Sequence, residues 1–165
     1  MPPTRGGTLA ILVCRDLALH DALTGLANRV LFTEELGRAL LRANRKGTHV
    51  GILFADLDGF KPINDVYGHR VGDRVLQIVA ERLTETLRRA DLTARLGGDE
   101  FAIIVEDLKS VEQAKQITES VSKLLESPIV IDNTAMPLGI SSLHFYTFGG
   151  LKKTVEWINT ERESA

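Results

Sequence analysis

Residues 95–105 read Arg-Leu-Gly-Gly-Asp-Glu-Phe-Ala-Ile-Ile-Val: one apolar run ends at Leu96, two glycines follow, and a second apolar run starts at Phe101. This pattern folds as a β-hairpin, because glycine takes the positive φ of a tight turn without steric cost. It also leaves the backbone bare enough for a large ligand to approach. Asp99 and Glu100 then stand together at the tip. Two adjacent negative charges are stabilised by a cation, although an ordinary solvated turn carries the same residues.

A second stretch narrows the choice. Val50–Asp58 is a continuous apolar run that ends in Asp-Leu-Asp. It suits a strand buried on both faces. Side chains alternate along a strand, so Asp56 and Asp58 point the same way at its end. If this strand lies beside the hairpin, Asp56 and Asp99 share a cation. All-oxygen donors suit Mg²⁺ or Mn²⁺, and Mg²⁺ uses one or two carboxylates together with substrate phosphates. Such a site performs phosphoryl or nucleotidyl transfer.

Four segments resemble the motifs of the GGDEF family, the diguanylate cyclases. They are Asp21-Ala-Leu-Thr-Gly-Leu-Ala-Asn-Arg29, Phe54-Ala-Asp-Leu-Asp-Gly-Phe-Lys-Pro-Ile-Asn-Asp65, Gly68-His-Arg-Val-Gly-Asp73 and Gly97-Gly-Asp-Glu-Phe101. They occur in order from about Asp21 to Val105. The resemblance implies the palm-like, ferredoxin-related fold of nucleotidyl cyclases. It implies that two GTP are condensed to cyclic di-GMP and two pyrophosphates, and that a homodimer brings the two nucleotides together. An alternative within the same family is a silent domain that binds GTP or cyclic di-GMP and regulates a fused partner, such as a phosphodiesterase domain.

The resemblance also distributes roles. Asp56, Asp99 and the backbone carbonyl of Leu57 become the metal ligands, and Asp99 helps to deprotonate the attacking ribose 3′-hydroxyl. Phe60, Lys61 and Glu100 join the substrate site. Lys61 follows a Gly-Phe loop, where exposed N–H groups and an ammonium suit a triphosphate. Asn64 and Asp73 resemble guanine readers: a carboxylate accepts from guanine N1–H and the 2-amino group, and an amide supplies either partner. Asn64 reads equally as a helix cap, and Asp73 as a favourable charge at a helix N-terminus. His69 is a secondary substrate contact. Arg88-Arg89-Ala90-Asp91 has the spacing of the family's inhibitory product site, with Arg88 on phosphate or guanine and Asp91 accepting guanine donors. Two arginines ending a helix also answer to the helix dipole.

At 165 residues the chain is one domain. The expected architecture is an α/β sandwich: a mixed, mainly antiparallel sheet with helices packed on it. Helices are expected over Arg29–Lys46, Val71–Arg89 and Ser110–Glu126, with inward stripes Phe32/Leu36/Leu40/Ala43, Val75/Val79/Leu83/Leu87 and Ala114/Ile117/Val121/Leu124. Gly59–Tyr67 reads as a loop with a short helical turn. Ile129–Ile131 and Leu138–Phe145 read as strands around an Asp132-Asn133 turn. A net charge of −2 and the absence of a basic stripe argue against a nucleic-acid partner. The single cysteine, Cys14, excludes an internal disulfide and fits a reducing, cytoplasmic location. The Leu9–Cys14 run is too short to span a bilayer.

Residues 1–20 read as the remnant of a linker from an upstream sensor domain, and 21–165 as the GGDEF domain. From about residue 146 the chain departs from the family, which places a lysine and an arginine one turn apart on a final helix. Leu151, Val155 and Ile158 there suit a short amphipathic helix. Lys152 and Lys153 are possible substitutes for the phosphate-binding pair or members of a solvated face.

Overall fold

Asn28 opens the first helix that lies wholly within the described residues. Its side-chain oxygen accepts the N–H groups of Val30 and Leu31, two donors that a helix start leaves unpaired. Helix α1 spans Arg29–Lys46 and ends at Gly47, a left-handed cap with φ 68°. The computed structural model describes residues 18–88, 90–136 and 139–148. The expectations placed on residues 1–17, on Arg89, on Leu138 and on residues 149–165, including Cys14, Lys152 and Lys153, fall outside these. In α1 the buried positions are Phe32, Ala39 and Ala43, whereas Leu40, expected inward, is 37% exposed. At about 100° per residue, the face through Phe32 and Ala43 passes through position 39, not 40.

Strand β1 (His49–Asp58) follows. Gly59, with φ 79°, then turns the chain directly into helix α2 (Phe60–Tyr67). This segment is a helix of eight residues, longer than the expected loop with a short helical turn. Pro62 falls in the first turn, where its missing N–H costs nothing, and Ile63 is buried. After Gly68, helix α3 runs His69–Thr86, starting earlier and ending earlier than expected. Leu87 is extended, and the Asp91 carboxylate takes the Arg88 N–H, which closes the loop and stops the helix. The rest of the stripe is as expected, with Val75, Leu76, Val79, Ala80 and Leu83 buried.

Strands β2 (Leu92–Gly97) and β3 (Glu100–Leu108) form the hairpin. Helix α4 (Val111–Glu126) begins at Ser110, whose hydroxyl accepts the Gln113 N–H. The return bond of this box is shifted by one residue, because Gln113 Oε1 accepts from Lys109 N–H. Strands β4 (Ile129–Ile131) and β5 (Thr134–Met136) pair through the Asp132-Asn133 turn, and both turn residues have positive φ. The turn therefore joins β4 to β5. The strand expected opposite β4 is instead β6 (Gly139–Phe148), which belongs to the main sheet.

The main sheet has the order β2-β3-β1-β6, with every neighbouring pair antiparallel. The one parallel contact among the described residues is an isolated bridge between Ala27 and Ala94. One face, carrying Leu53, Ala55, Leu57, Ile103 and Val105, packs against α3 and α4. The other, carrying Val50, Ile52, Ala102 and Ile104, packs against α1. Helices thus cover both faces of β1, which accounts for its apolar run. Among the described residues no helix is long and apolar enough to cross a membrane.

Candidate active site

The hairpin tip is built by Gly97 (φ 145°) and Gly98 (φ 55°), both in the region that disfavours other residues. Arg95 holds it. Its Nε and Nη2 donate to the Gly98 carbonyl at 2.9 and 2.8 Å, and its Nη1 donates to Asp21 Oδ1 at 3.0 Å. The Arg95 N–H also donates to the Ala27 carbonyl at 2.9 Å. Asp21 accepts the N–H and hydroxyl of Thr24 at 3.0 and 2.7 Å, which shapes the loop before α1. Burial pushes the Asp21 carboxyl up, but its bonds to Thr24 and Arg95 together outweigh this and hold it below its ordinary value. In the sequence, Arg95 and Asp21 stand beside or within the motifs with no role of their own. The available signal was an arginine two positions before the glycine pair, at the end of a run that otherwise packs in the core.

The tip folds over the end of β1. The Leu57 N–H donates to the Asp99 carbonyl at 3.4 Å, which sets Asp99 beside the Asp56–Leu57 segment. Asp56 stands directly opposite Glu100 across the β1–β3 ladder. Asp56, Asp58 and Glu100 therefore share the face toward α1, as the strand period requires. The β1–β6 register slips between Asp56 and Leu57, a bulge located where the strand reaches the site. Arg29, the first residue of α1, lies 3.5 Å from Glu100 and also donates to the Leu96 carbonyl at 3.3 Å. Both members of that ion pair are largely exposed, so it orients more than it stabilises. Asp99 is half-buried, and its side chain has no hydrogen-bond or ion-pair partner among the described residues.

Asp56 and Asp99 fit a hard divalent cation: both are carboxylates, one at a strand end and one in the hairpin turn bonded to it, with no nitrogen or sulfur donor in the set. No cluster of three or more His, Cys, Asp or Glu able to hold a metal occurs among the described residues. A two-carboxylate set is what Mg²⁺ completes with water and phosphate oxygens.

The remaining candidates sit on α2 and α3. Phe60 packs against the core and Lys61 is exposed, both in the first turn of α2, directly after the end of β1. Asn64 is half-buried, and its side chain lies on Gly72, the residue before the exposed Asp73. The Asn64 side chain thus lies beside the turn of α3 that carries Asp73. His69 is exposed at the start of α3 and takes no part in that contact. A groove of about 770 Å³ between α3 and the β4–β5 hairpin is lined by Asp73, Arg70 and Asp132. Neither Asp56 nor Asp99 lines it.

Arg88 and Asp91 lie at the far end of β2 from the hairpin tip, roughly 20 Å away by strand length. Both line a recess of about 220 Å³ beside α4. Asp91 accepts the N–H of Arg88 at 3.2 Å and of Glu106 at 3.3 Å. Burial raises its carboxyl above the ordinary value, and these backbone bonds offset only part of the rise. Asp91 is therefore already a loop-shaping residue.

The family model described as "Diguanylate cyclase, GGDEF domain" matches residues 18–153. The chain is 42% identical over 129 residues to diguanylate cyclase TpbB of Pseudomonas aeruginosa, covering 75% of this chain and 30% of that protein. It is 42% identical over 126 residues to the bifunctional diguanylate cyclase/cyclic di-GMP phosphodiesterase MucR of the same organism, covering 76% of this chain and 18% of that protein. The chain thus spans less than a third of either relative. Among solved structures, the coiled coil and GGDEF domain of DgcB from Caulobacter crescentus, in complex with c-di-GMP, matches with a TM-score of 0.76 at 27% identity. The match covers 90% of this chain and 81% of that one.

Proposed function

The chain belongs to the GGDEF domain family of diguanylate cyclases, and from that premise we propose that it condenses two GTP to cyclic di-GMP and two pyrophosphates. The observation that carries this reading is the bond from Leu57 N–H to the Asp99 carbonyl, which ties the hairpin turn bearing Asp99 to the strand end bearing Asp56. In each half-reaction the 3′-oxygen of one GTP attacks the α-phosphorus of the other. The bond to pyrophosphate breaks, and the hydroxyl proton passes to Asp99. Asp56, Asp99 and the Leu57 carbonyl would hold Mg²⁺ or Mn²⁺, which would supply charge neutralisation at the phosphates and a lowered pKa at the hydroxyl. Lys61 and the first turn of α2 receive the triphosphate, with Phe60 and Glu100 at the edge of the site and His69 as an outer contact. Asn64 and Asp73 read guanine. One domain holds one nucleotide, so turnover needs a homodimer that faces two sites together. The cytoplasm, which supplies GTP, is where we place the reaction.

The test is GTP turnover with Mg²⁺ at high protein concentration, with product identified by mass, beside Asp99→Ala. The parent forms cyclic di-GMP. The variant loses at least about a hundredfold in rate at an unchanged melting temperature, because the Asp99 side chain holds nothing else in place. Parental turnover by a folded Asp99→Ala would overturn the assignment.

The sequence after Tyr146 lacks the family's lysine–arginine pair, and this favours a second reading: a domain that binds GTP or cyclic di-GMP and regulates a fused neighbour, such as a phosphodiesterase domain. Saturable GTP binding without product, even after dimerisation is forced by an added coiled coil, would establish it. Arg88 and Asp91 are, in either reading, our site for inhibitory cyclic di-GMP. Arg88→Ala is expected to weaken cyclic di-GMP binding about tenfold or more; equal affinity in calorimetry would remove the site.

A further inference from the structure

Gly72 lies in the first turns of α3, buried, in ordinary helical backbone. A glycine inside a helix costs about 1 kcal/mol relative to alanine. At six other glycines, Gly37, Gly47 and Gly68 among them, nothing lies within 4 Å of where a Cβ would stand. Gly72 differs. A Cβ there would lie 2.0 Å from Asn64 Oδ1, 2.9 Å from its Cγ and 3.4 Å from its Nδ2. The three nearest atoms are the whole carboxamide of one residue.

We infer that Gly72 is a positioning residue for nucleobase selection: its missing side chain is the seat on which the Asn64 carboxamide rests, holding Asn64 and Asp73 as one base-reading pair. The inference rests on the reading of Asn64 and Asp73 as guanine contacts. The surroundings leave Asn64 little alternative. Helix α2 is only eight residues long, and Ile63 anchors it in the core. The Asn64 carbonyl takes the Gly68 N–H at 2.9 Å, so the backbone at both ends of the α2–α3 connection is tied. With the backbone tied, a side chain at position 72 displaces the carboxamide rather than the helix. An amide recognises guanine by direction as much as by contact, since its oxygen and nitrogen have opposite hydrogen-bonding roles. Losing the seat therefore costs discrimination before it costs fold.

The experiment measures equilibrium binding of GTP, ITP and ATP, with Mg²⁺, to the parent and to Asn64→Ala, Gly72→Ala and the double variant. ITP lacks the 2-amino group, and ATP inverts the donor pattern at the purine 6-position. Expected is a GTP preference in the parent that falls about tenfold in Asn64→Ala. Gly72→Ala falls by a similar factor, and the double variant is no worse than Asn64→Ala alone. The double variant also melts at or above Asn64→Ala, because the methyl group added at position 72 then fills vacated space on a better helix former. Three outcomes overturn the inference. Gly72→Ala with parental GTP preference, while Asn64→Ala loses it, removes the seat but spares the guanine reading. So does a double variant whose losses simply add. A parent with no preference for GTP, or an Asn64→Ala variant that keeps it, removes the guanine reading itself and the inference with it.

Discussion

Arg95 and Asp21 show how far a single ion pair can reach. Only 13% of the Arg95 side chain is exposed, and its three bonds connect the hairpin tip to the loop before α1. The Asp21 carboxyl is held below its ordinary value of 3.8, the buried environment raising it and the Thr24 and Arg95 bonds more than reversing that. A depressed carboxyl contributes stability that is present above its unfolded pKa and lost as pH falls through its folded one. Asp21→Asn should therefore melt below the parent at pH 7, with the gap closing as pH drops below about 4. Melting curves from pH 7 to 3 check this; a gap that stays constant across the range would show that Asp21 acts only through neutral hydrogen bonds. Asp91 works in the opposite sense. Its carboxyl is raised by burial, so ionising it weakens the fold as pH climbs above the ordinary carboxylate value.

At the scale of elements, β1 and β6 lock through Gly51. A Cβ at that position would meet Phe145 ring carbons at 2.5 and 2.8 Å and Leu108 at 2.6 Å. Gly51→Ala should cost about 1–3 kcal/mol by overpacking, which lowers the melting temperature by several degrees. A melting temperature equal to the parent's would mean that β6 can slide outward without loss. The elements differ in how legible they are in the sequence. The stripe of α3 and the continuous run of β1 declare themselves, because each is buried over most of its length. Helix α2 is hidden by its Gly59 and Pro62, residues that mark turns in most settings and here mark a helix start. Strand β5 is three residues long, too short for a period, so the Asp132-Asn133 turn is legible but the strand it leads to is not. The strand end and the turn that carry Asp56 and Asp99 follow from strand alternation and a glycine pair, both local rules, whereas the pairing of β1 with β3 that makes them neighbours is not local. The Arg95–Asp21 contact joins residues 74 apart, and nothing local announces such a pair.

For the molecule as a whole, the sheet order places β1 between β3 and β6, with helices on both faces. The residues argued to bind nucleotide hang from its end, on the tip, on α2 and on α3. Isotope labelling exposes what this central position means over time. The amides of Ile52–Ala55 are buried and laddered on both sides, so deuterium reaches them only when the whole domain opens. The amides of Gly98 and Asp99 lie at an edge and exchange through small local fluctuations. Raising urea should accelerate exchange at Ile52–Ala55 with the full slope of global unfolding, and at the tip hardly at all. A shallow slope at Ile52–Ala55 would mean that β1 detaches on its own. On that expectation Asp56, next to the slowest-exchanging amides, keeps its place as long as the domain stays folded, while the place of Asp99 depends on the few bonds that hold its turn. One carboxylate is a fixed post and the other a latch.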